Sequence, residues 1–123
     1  MTTDGHTVVV ILPADADFLR LARMNAMGMA SSSALSVDEL DDLRLAVDEL
    51  CHLLINGPGD DLCLELRSDA GAVVVSGSRS GTEPGDIEID PIVRTILDTT
   101  TTQWTIEAGP ERRFTLRKAP ANT

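Results

Sequence analysis

Apolar and polar positions along this chain follow two periods, and the switches between them mark out the elements. Residues 6–12 (HTVVVIL) are rich in β-branched side chains and end at Pro13, which predicts a first strand. A helix follows. Asp15 or Asp17 can cap it, and Phe18, Leu21, Ala22, Asn25 and Met29 fall on one stripe at helical spacing, with Leu19, Ala26 and Ala30 beside it. Three serines at 31–33 then loosen the chain.

The second helix has the clearest start. Ser36 and Glu39 form the S-x-x-E capping box, and Asp38, Glu39, Asp41 and Asp42 lie where the helix dipole favours negative charge. Leu40, Leu43, Val47, Leu50 and Leu54 recur at steps of three and four, a buried stripe, until Gly57-Pro58-Gly59 stops the helix. Residues 62–67 and 72–76 then read as two short strands of an antiparallel hairpin, turning at Asp69-Ala70-Gly71. Residues 78–89 are loop-like, with Gly81, Pro84 and Gly85 as turn formers. Asp90-Pro91 places a cap before a proline at the first helical position, opening a short helix with Ile92, Val93, Ile96 and Leu97 inward. Four threonines at 99–102 end it. Trp104 and Ile106 alternate, Gly109-Pro110 turns, and Phe114 and Leu116 alternate again, which predicts a last hairpin; residues 119–123 are expected to fray, as are 1–5. Helices grouped early and strands joined by hairpins predict a two-layer α+β sandwich with a largely antiparallel sheet.

Composition narrows the function classes. At 123 residues the chain is expected to be one domain, spanning 1–123. Twenty acidic against ten basic residues give a formal charge of −10, which repels phosphate backbones, and one Trp, two Phe and no Tyr leave few platforms for stacking bases. Direct nucleic-acid binding is not expected, whereas a protein partner with a basic face suits such a surface. No apolar run approaches the roughly 20 residues that span a bilayer, and the start MTTDGH has no signal-peptide pattern, so a cytoplasmic protein without membrane contact is expected. Cys51 and Cys63 lack a CxxC spacing and read as small buried hydrophobes.

Several groups invite chemistry and answer better to simpler roles. Asp48 and Glu49 are adjacent on a helix and point about 100° apart, so they read as solvated or vestigial carboxylates and not as an acid/base pair. His52, Cys51, His6 and Cys63 fit no zinc spacing, and the acids at 38–42 form no Asp-x-Asp-x-Asp-Gly calcium loop, so no metal is expected. Met24, Met27 and Met29 read as core filling, with an adaptable contact surface as the alternative.

Over residues 38–56 (DELDDLRLAVDELCHLLIN), supported by VVVILPADADFLRLARM in the first strand and helix, the chain resembles the RsbW-type anti-sigma factors. These are also serine kinases, within the histidine-kinase-like (GHKL) ATPase superfamily; the later part of the chain matches in layout only. The resemblance implies a Bergerat-type sandwich, a homodimer, and binding of a sigma factor and of an anti-anti-sigma antagonist. It also implies nucleotide motifs, and these are degenerate here. Glu49 matches the glutamate that activates the attacking hydroxyl. The Mg²⁺-holding asparagine four residues on, which would sit above it on the same helix face, corresponds to Leu53, which has no lone pair for a hard cation; Asn56 is seven residues away. The box V-x-D-x-G-x-G, laid on residues 75–81, puts Gly77 on the adenine-binding aspartate and Arg79 on the first glycine, and only Gly81 survives. Losing that acceptor removes about 1–3 kcal/mol of base recognition. The glycine-rich phosphate box has no counterpart in Asp86-Ile87-Glu88-Ile89-Asp90.

These losses predict a pseudokinase that needs no ATP or Mg²⁺ and acts by partner switching. Two rivals remain: an active ATP-dependent serine kinase with other ligands, and a regulator on the same scaffold with a different partner. In the family an arginine on the first helix faces the protein partners, and the F-x-R spacing carries that role to Arg20, with Arg23 second; an ordinary solvated arginine is the alternative.

Overall fold

A computed structural model describes residues 6–83 and 85–121. Strand β1 (Thr7–Leu12) leads through a single 3₁₀ turn to helix α1 (Leu19–Ala30) and helix α2 (Val37–Ile55). The hairpin β2 (Leu62–Asp69) and β3 (Ala72–Ser80) follows, then helix α3 (Pro91–Thr100) and the hairpin β4 (Gln103–Glu107) and β5 (Glu111–Lys118). The strands form one sheet in the order β1-β2-β3-β5-β4, with every neighbouring pair antiparallel. Helices cover one face, so the two-layer α+β sandwich expected from the pattern is the architecture observed.

Local chemistry explains why the elements start and stop there. The Ser36 hydroxyl accepts from the Glu39 amide at 3.2 Å, and Glu39 Oε1 accepts from the Ser36 amide at 2.8 Å, completing the capping box. The amides of Ser36 and Ala121 hold the Glu39 carboxyl below its ordinary pKa. Asp90 accepts from the Ile92 amide at 2.8 Å ahead of Pro91, starting α3. The β2–β3 turn puts Ala70 (φ 52°) and Gly71 (φ 86°) in the left-handed region, the two-residue turn whose twist suits a hairpin.

The core lies between α2 and the inner sheet face. From α2 come Leu43, Ala46, Val47, Leu50, Cys51 and Leu54; from the sheet, Leu62, Leu64, Leu66, Val73, Val75, Phe114 and Leu116. Each fully buried leucine stabilises the fold by about 1.5–3 kcal/mol relative to exposure. Burial raises the Cys51 thiol to about 12, so it behaves as a small hydrophobe.

Several expectations need correction. The buried stripe of α1 is Leu19 with Ala22, Ala26 and Ala30, three small side chains that suit a close approach to α2, while Phe18 is exposed. Met24 is 64% exposed, and only Met27 and Met29 pack on the core. On α3, Leu97 is buried but Ile92, in the first turn, is 71% exposed. Strand β3 continues to Ser80, three residues into the expected loop, because Ser78, Arg79 and Ser80 pair with Arg113, Arg112 and Glu111. The tail expected to fray from Ala119 is tied at two points: Ala119 donates to Thr102 Oγ1 at 2.9 Å, and the Ala121 amide donates to Glu39. The fraying expected at 1–5 and 122–123 lies outside the described residues.

Candidate functional site

The exit of α2 is where the sheet, the loop after β3 and α3 fail to close over the core. A cavity of about 590 Å³ opens there, lined from α2 by Glu49, His52, Leu53, Ile55 and Asn56. Asp86, Ile87 and Glu88 of the loop, Val93 of α3 and Arg112 of β5 complete the wall. Glu49, Leu53 and Asn56 share it because residues four and seven apart return to the same helix face. Along the axis, Asn56 stands about 10 Å beyond Glu49, against about 6 Å for Leu53. Leu53 is partly buried and packs against the core. The cleft is thus lined by the apolar Leu53, Ile55, Ile87 and Val93 and by three carboxylates, those of Glu49, Asp86 and Glu88.

The one arginine in that wall is already engaged. Arg112 Nη1 donates to the carbonyls of Asn56 at 2.9 Å and Leu53 at 3.3 Å, while its Nε is buried without a hydrogen-bond partner among the described residues. Beside it, directly across the β3–β5 pair, Arg79 is only 4% exposed. Its guanidinium donates to Asp60 O at 2.8 Å, Gly57 O at 2.9 Å and Leu54 O at 3.1 Å. Burial, and then the like charge of Arg112, lower the pKa of Arg79. Two arginines thus satisfy the carbonyls that a helix leaves open at its C-terminus, where positive charge also suits the helix dipole. Gly59 makes room: a Cβ there would lie 3.0 Å from the Arg79 guanidinium carbon.

Gly77 and Gly81 are not part of this cleft. A Cβ on Gly77 would fall 2.3 Å from Phe114 Cε2 and 2.8 Å from Cζ, so the buried Phe114 ring fills the space any side chain at 77 would need. Gly81 adopts φ 70°, and a Cβ on it would stand 3.3 Å from the Asp60 carboxylate. Its glycine answers to the turn after β3.

On the helical layer the two candidate arginines part company. Arg20 is exposed on α1, and among the described residues no hydrogen bond or ion pair holds it. Arg23 is spent on Asp48 of α2, an ion pair that ties the two helices together. Asp48 is accordingly not the solvated carboxylate expected: it holds Arg23 and sits 3.6 Å from the His52 ring. Around the pair lies a shallow depression of about 530 Å³ bounded by Asp41, Asp42, Arg44 and Leu45. Among the described residues no three His, Cys, Asp or Glu side chains converge as a metal site would require. No described helix is long and apolar enough to cross a membrane.

Sequence reasoning missed Arg79 and Arg112 as structural groups. The available signal was their phase: both alternate with Val75, Phe114 and Leu116 at inward positions of their strands, where a cation must find acceptors.

The architecture is a two-layer α+β sandwich with one five-stranded antiparallel sheet. Among solved structures, the chain is similar to the RsbU and RsbW domains of Rv1364c from Mycobacterium tuberculosis, with a TM-score of 0.71 at 14% identity. The match covers 96% of this chain and 35% of that one, so the chain spans about a third of the protein it resembles, and the likeness is one of fold. No protein-family model and no curated protein matches the sequence.

Proposed function

We propose that the protein is a non-catalytic regulator that works by partner switching. In this reading it holds a sigma factor, an anti-anti-sigma antagonist, or each in turn through its helical layer, and the cleft at the end of α2 binds no nucleotide. The observation that carries the reading is the cleft's side-chain set. Leu53 offers no oxygen to Mg²⁺, which prefers hard oxygen ligands in strict geometry. Glu49, Asp86 and Glu88 line the space that phosphates would enter, where like charge repels them. Phe114 takes the room of the carboxylate that would recognise adenine. The residues present do not fit a magnesium nucleotide, and phosphoryl transfer depends almost wholly on positioning and metal electrostatics.

Partner binding is supported by what the helical layer leaves exposed. Arg20 is free to pair, and Met24 and Leu45 are 64% and 41% exposed on the same layer. Arg, Met and aromatic side chains are the types that protein interfaces concentrate. The net charge of −10 suits a partner with a basic face. The rival reading, an active serine kinase with substituted ligands, draws on Asn56 and Arg112 in the cleft wall. A regulator with some other protein partner would use the same exposed helical surface.

Purified protein, titrated against each sigma factor and each anti-anti-sigma-like protein of its own cell, tests the reading. At least one of them is expected to bind. Arg20→Glu is expected to weaken that complex about tenfold or more, as loss and reversal of an interface arginine does, with the far-UV spectrum unchanged. No binding to any of them, or binding indifferent to Arg20, contradicts the assignment.

A further inference from the structure

Residues 86–90 (DIEID), the first three of which line the cleft at the exit of α2, are neither helical nor paired in the sheet. Their burial alternates: Asp86, Glu88 and Asp90 are exposed, and Ile87 and Ile89 are half-buried. Such alternation is the mark of an extended chain, about 17 Å long over this stretch. Among the described residues no hydrogen bond holds the main-chain groups of 86–89. A strip of extended chain with its amides and carbonyls unused accepts an added strand, as the edge of a sheet does.

The carboxylates around this strip are equally unengaged. Glu49 is half-buried, and neither it nor Asp86 nor Glu88 makes a hydrogen bond or ion pair among the described residues. Other acids of α2 differ: Asp42 holds Lys118, and Asp48 holds Arg23. Helix α2 also ends here, so its dipole presents negative charge to the same space. The arginine in the wall, Arg112, is drawn off by the Leu53 and Asn56 carbonyls. Three carboxylates against one arginine leave the cleft short of positive charge, and Leu53, Ile87 and Val93 supply apolar contact.

We propose that this cleft seats an extended basic segment of a protein partner, one in which lysine or arginine alternates with apolar residues, laid along residues 86–90 as an added strand. Its main chain takes the free amides and carbonyls of the strip. Its cations meet Glu49, Asp86 and Glu88, and its apolar side chains pack on Leu53, Ile87 and Val93. The volume of about 590 Å³ falls within the roughly 300–1,000 Å³ that binding pockets span. A small organic cation would answer the carboxylates and leave the main chain unused; the free main chain selects a peptide. The proposal rests on the reading of the cleft as free of nucleotide, and it adds the chemistry of what fills that space.

Fluorescence anisotropy of the full chain with a capped, dye-labelled octapeptide of alternating lysine and valine tests it. Saturable binding is expected. The double variant Asp86→Lys/Glu88→Lys is expected to weaken it about tenfold or more with unchanged circular dichroism, since neither carboxylate holds another group of the fold. Glu65→Lys/Glu107→Lys, the same change of charge on the open face of the sheet, is expected to weaken it by no more than about threefold, as screened and distant charges do. Of two further probes, N-methylated at every lysine or at every valine, one is expected to lose about tenfold, because it lacks the donors of the edge that pairs. Spermine in about tenfold excess, which carries cations without amides, is expected not to displace the peptide. No saturable binding, equal losses in the two double variants, indifference to N-methylation or displacement by spermine overturns the proposal. Displacement of the bound peptide by Mg-ATP contradicts instead the nucleotide-free reading of the cleft and leaves the peptide seat located, so the two ideas fail by different results.

Discussion

Arg79→Met is expected to lower the free energy of unfolding by about 2–4 kcal/mol, measured by urea denaturation at neutral pH. Methionine keeps the aliphatic volume but removes the donors that reach Leu54 O, Gly57 O and Asp60 O. The bond to Leu54 O is buried and those to Gly57 O and Asp60 O are part-buried, and a buried carbonyl left without a donor costs about 1–3 kcal/mol. Part of the loss is offset because a desolvated cation, held beside Arg112, is removed with it. The net sign stays destabilising, since the buried Leu54 carbonyl and two part-buried ones lose their donor and only one charge is relieved. Arg79→Lys is expected to recover less than half of the loss, because an ammonium cannot span three carbonyls as a planar guanidinium does. A change under about 0.5 kcal/mol for Arg79→Met would mean that the α2 exit is held by something else.

The second large effect is expected at Gly77. Gly77→Ala forces a methyl to within 2.3 Å of the Phe114 ring, which is itself buried at 1% exposure. Overpacking of this kind costs about 1–3 kcal/mol, and for a domain of this size that is a fall in Tm of roughly 5–10 °C. Gly77→Asp, which would restore the adenine-binding carboxylate of the resembling family, is expected to be worse, since it adds a desolvated charge to the same clash. The double variant Gly77→Ala/Phe114→Leu separates the clash from other causes. Leucine lacks the ring atoms that stand closest, so the double variant should be more stable than the sum of the singles by about 1 kcal/mol or more. Strict additivity would show that the ring is not what excludes a side chain at 77.

These two positions mark the limit of what the linear chain discloses. The capping box at Ser36 and Glu39, the Asp90-Pro91 start and the Ala70-Gly71 turn were legible because each is written within four residues and acts locally. The grouping of Glu49 and Leu53 on one face followed from helical spacing alone. That residue 77 is a glycine where the resembling family has an aspartate could be read, but what fills the space beside it could not. Phe114 lies 37 positions later and reaches Gly77 only through the β3–β5 register. Likewise Arg112 donates to carbonyls 56 and 59 residues away, and no local pattern announces such a bond. The buried stripe of α1 was misplaced because Phe18 and Leu21 are the larger apolar groups, while close approach to α2 selects the alanines. Arg23 was grouped with Arg20 by spacing, yet Asp48 sits on another helix and claims only one of them.

The proposed reading holds that the cleft lined by Glu49, Leu53, Asp86 and Glu88 binds no nucleotide. Calorimetric titration of the purified protein with Mg-ATP, carried to about 1 mM ligand, tests that claim most directly. No saturable heat above dilution is expected, and no transfer of the γ-phosphate to any anti-anti-sigma-like protein of the same cell. Micromolar, Mg²⁺-dependent binding accompanied by that transfer would contradict the account and establish the chain as an active kinase.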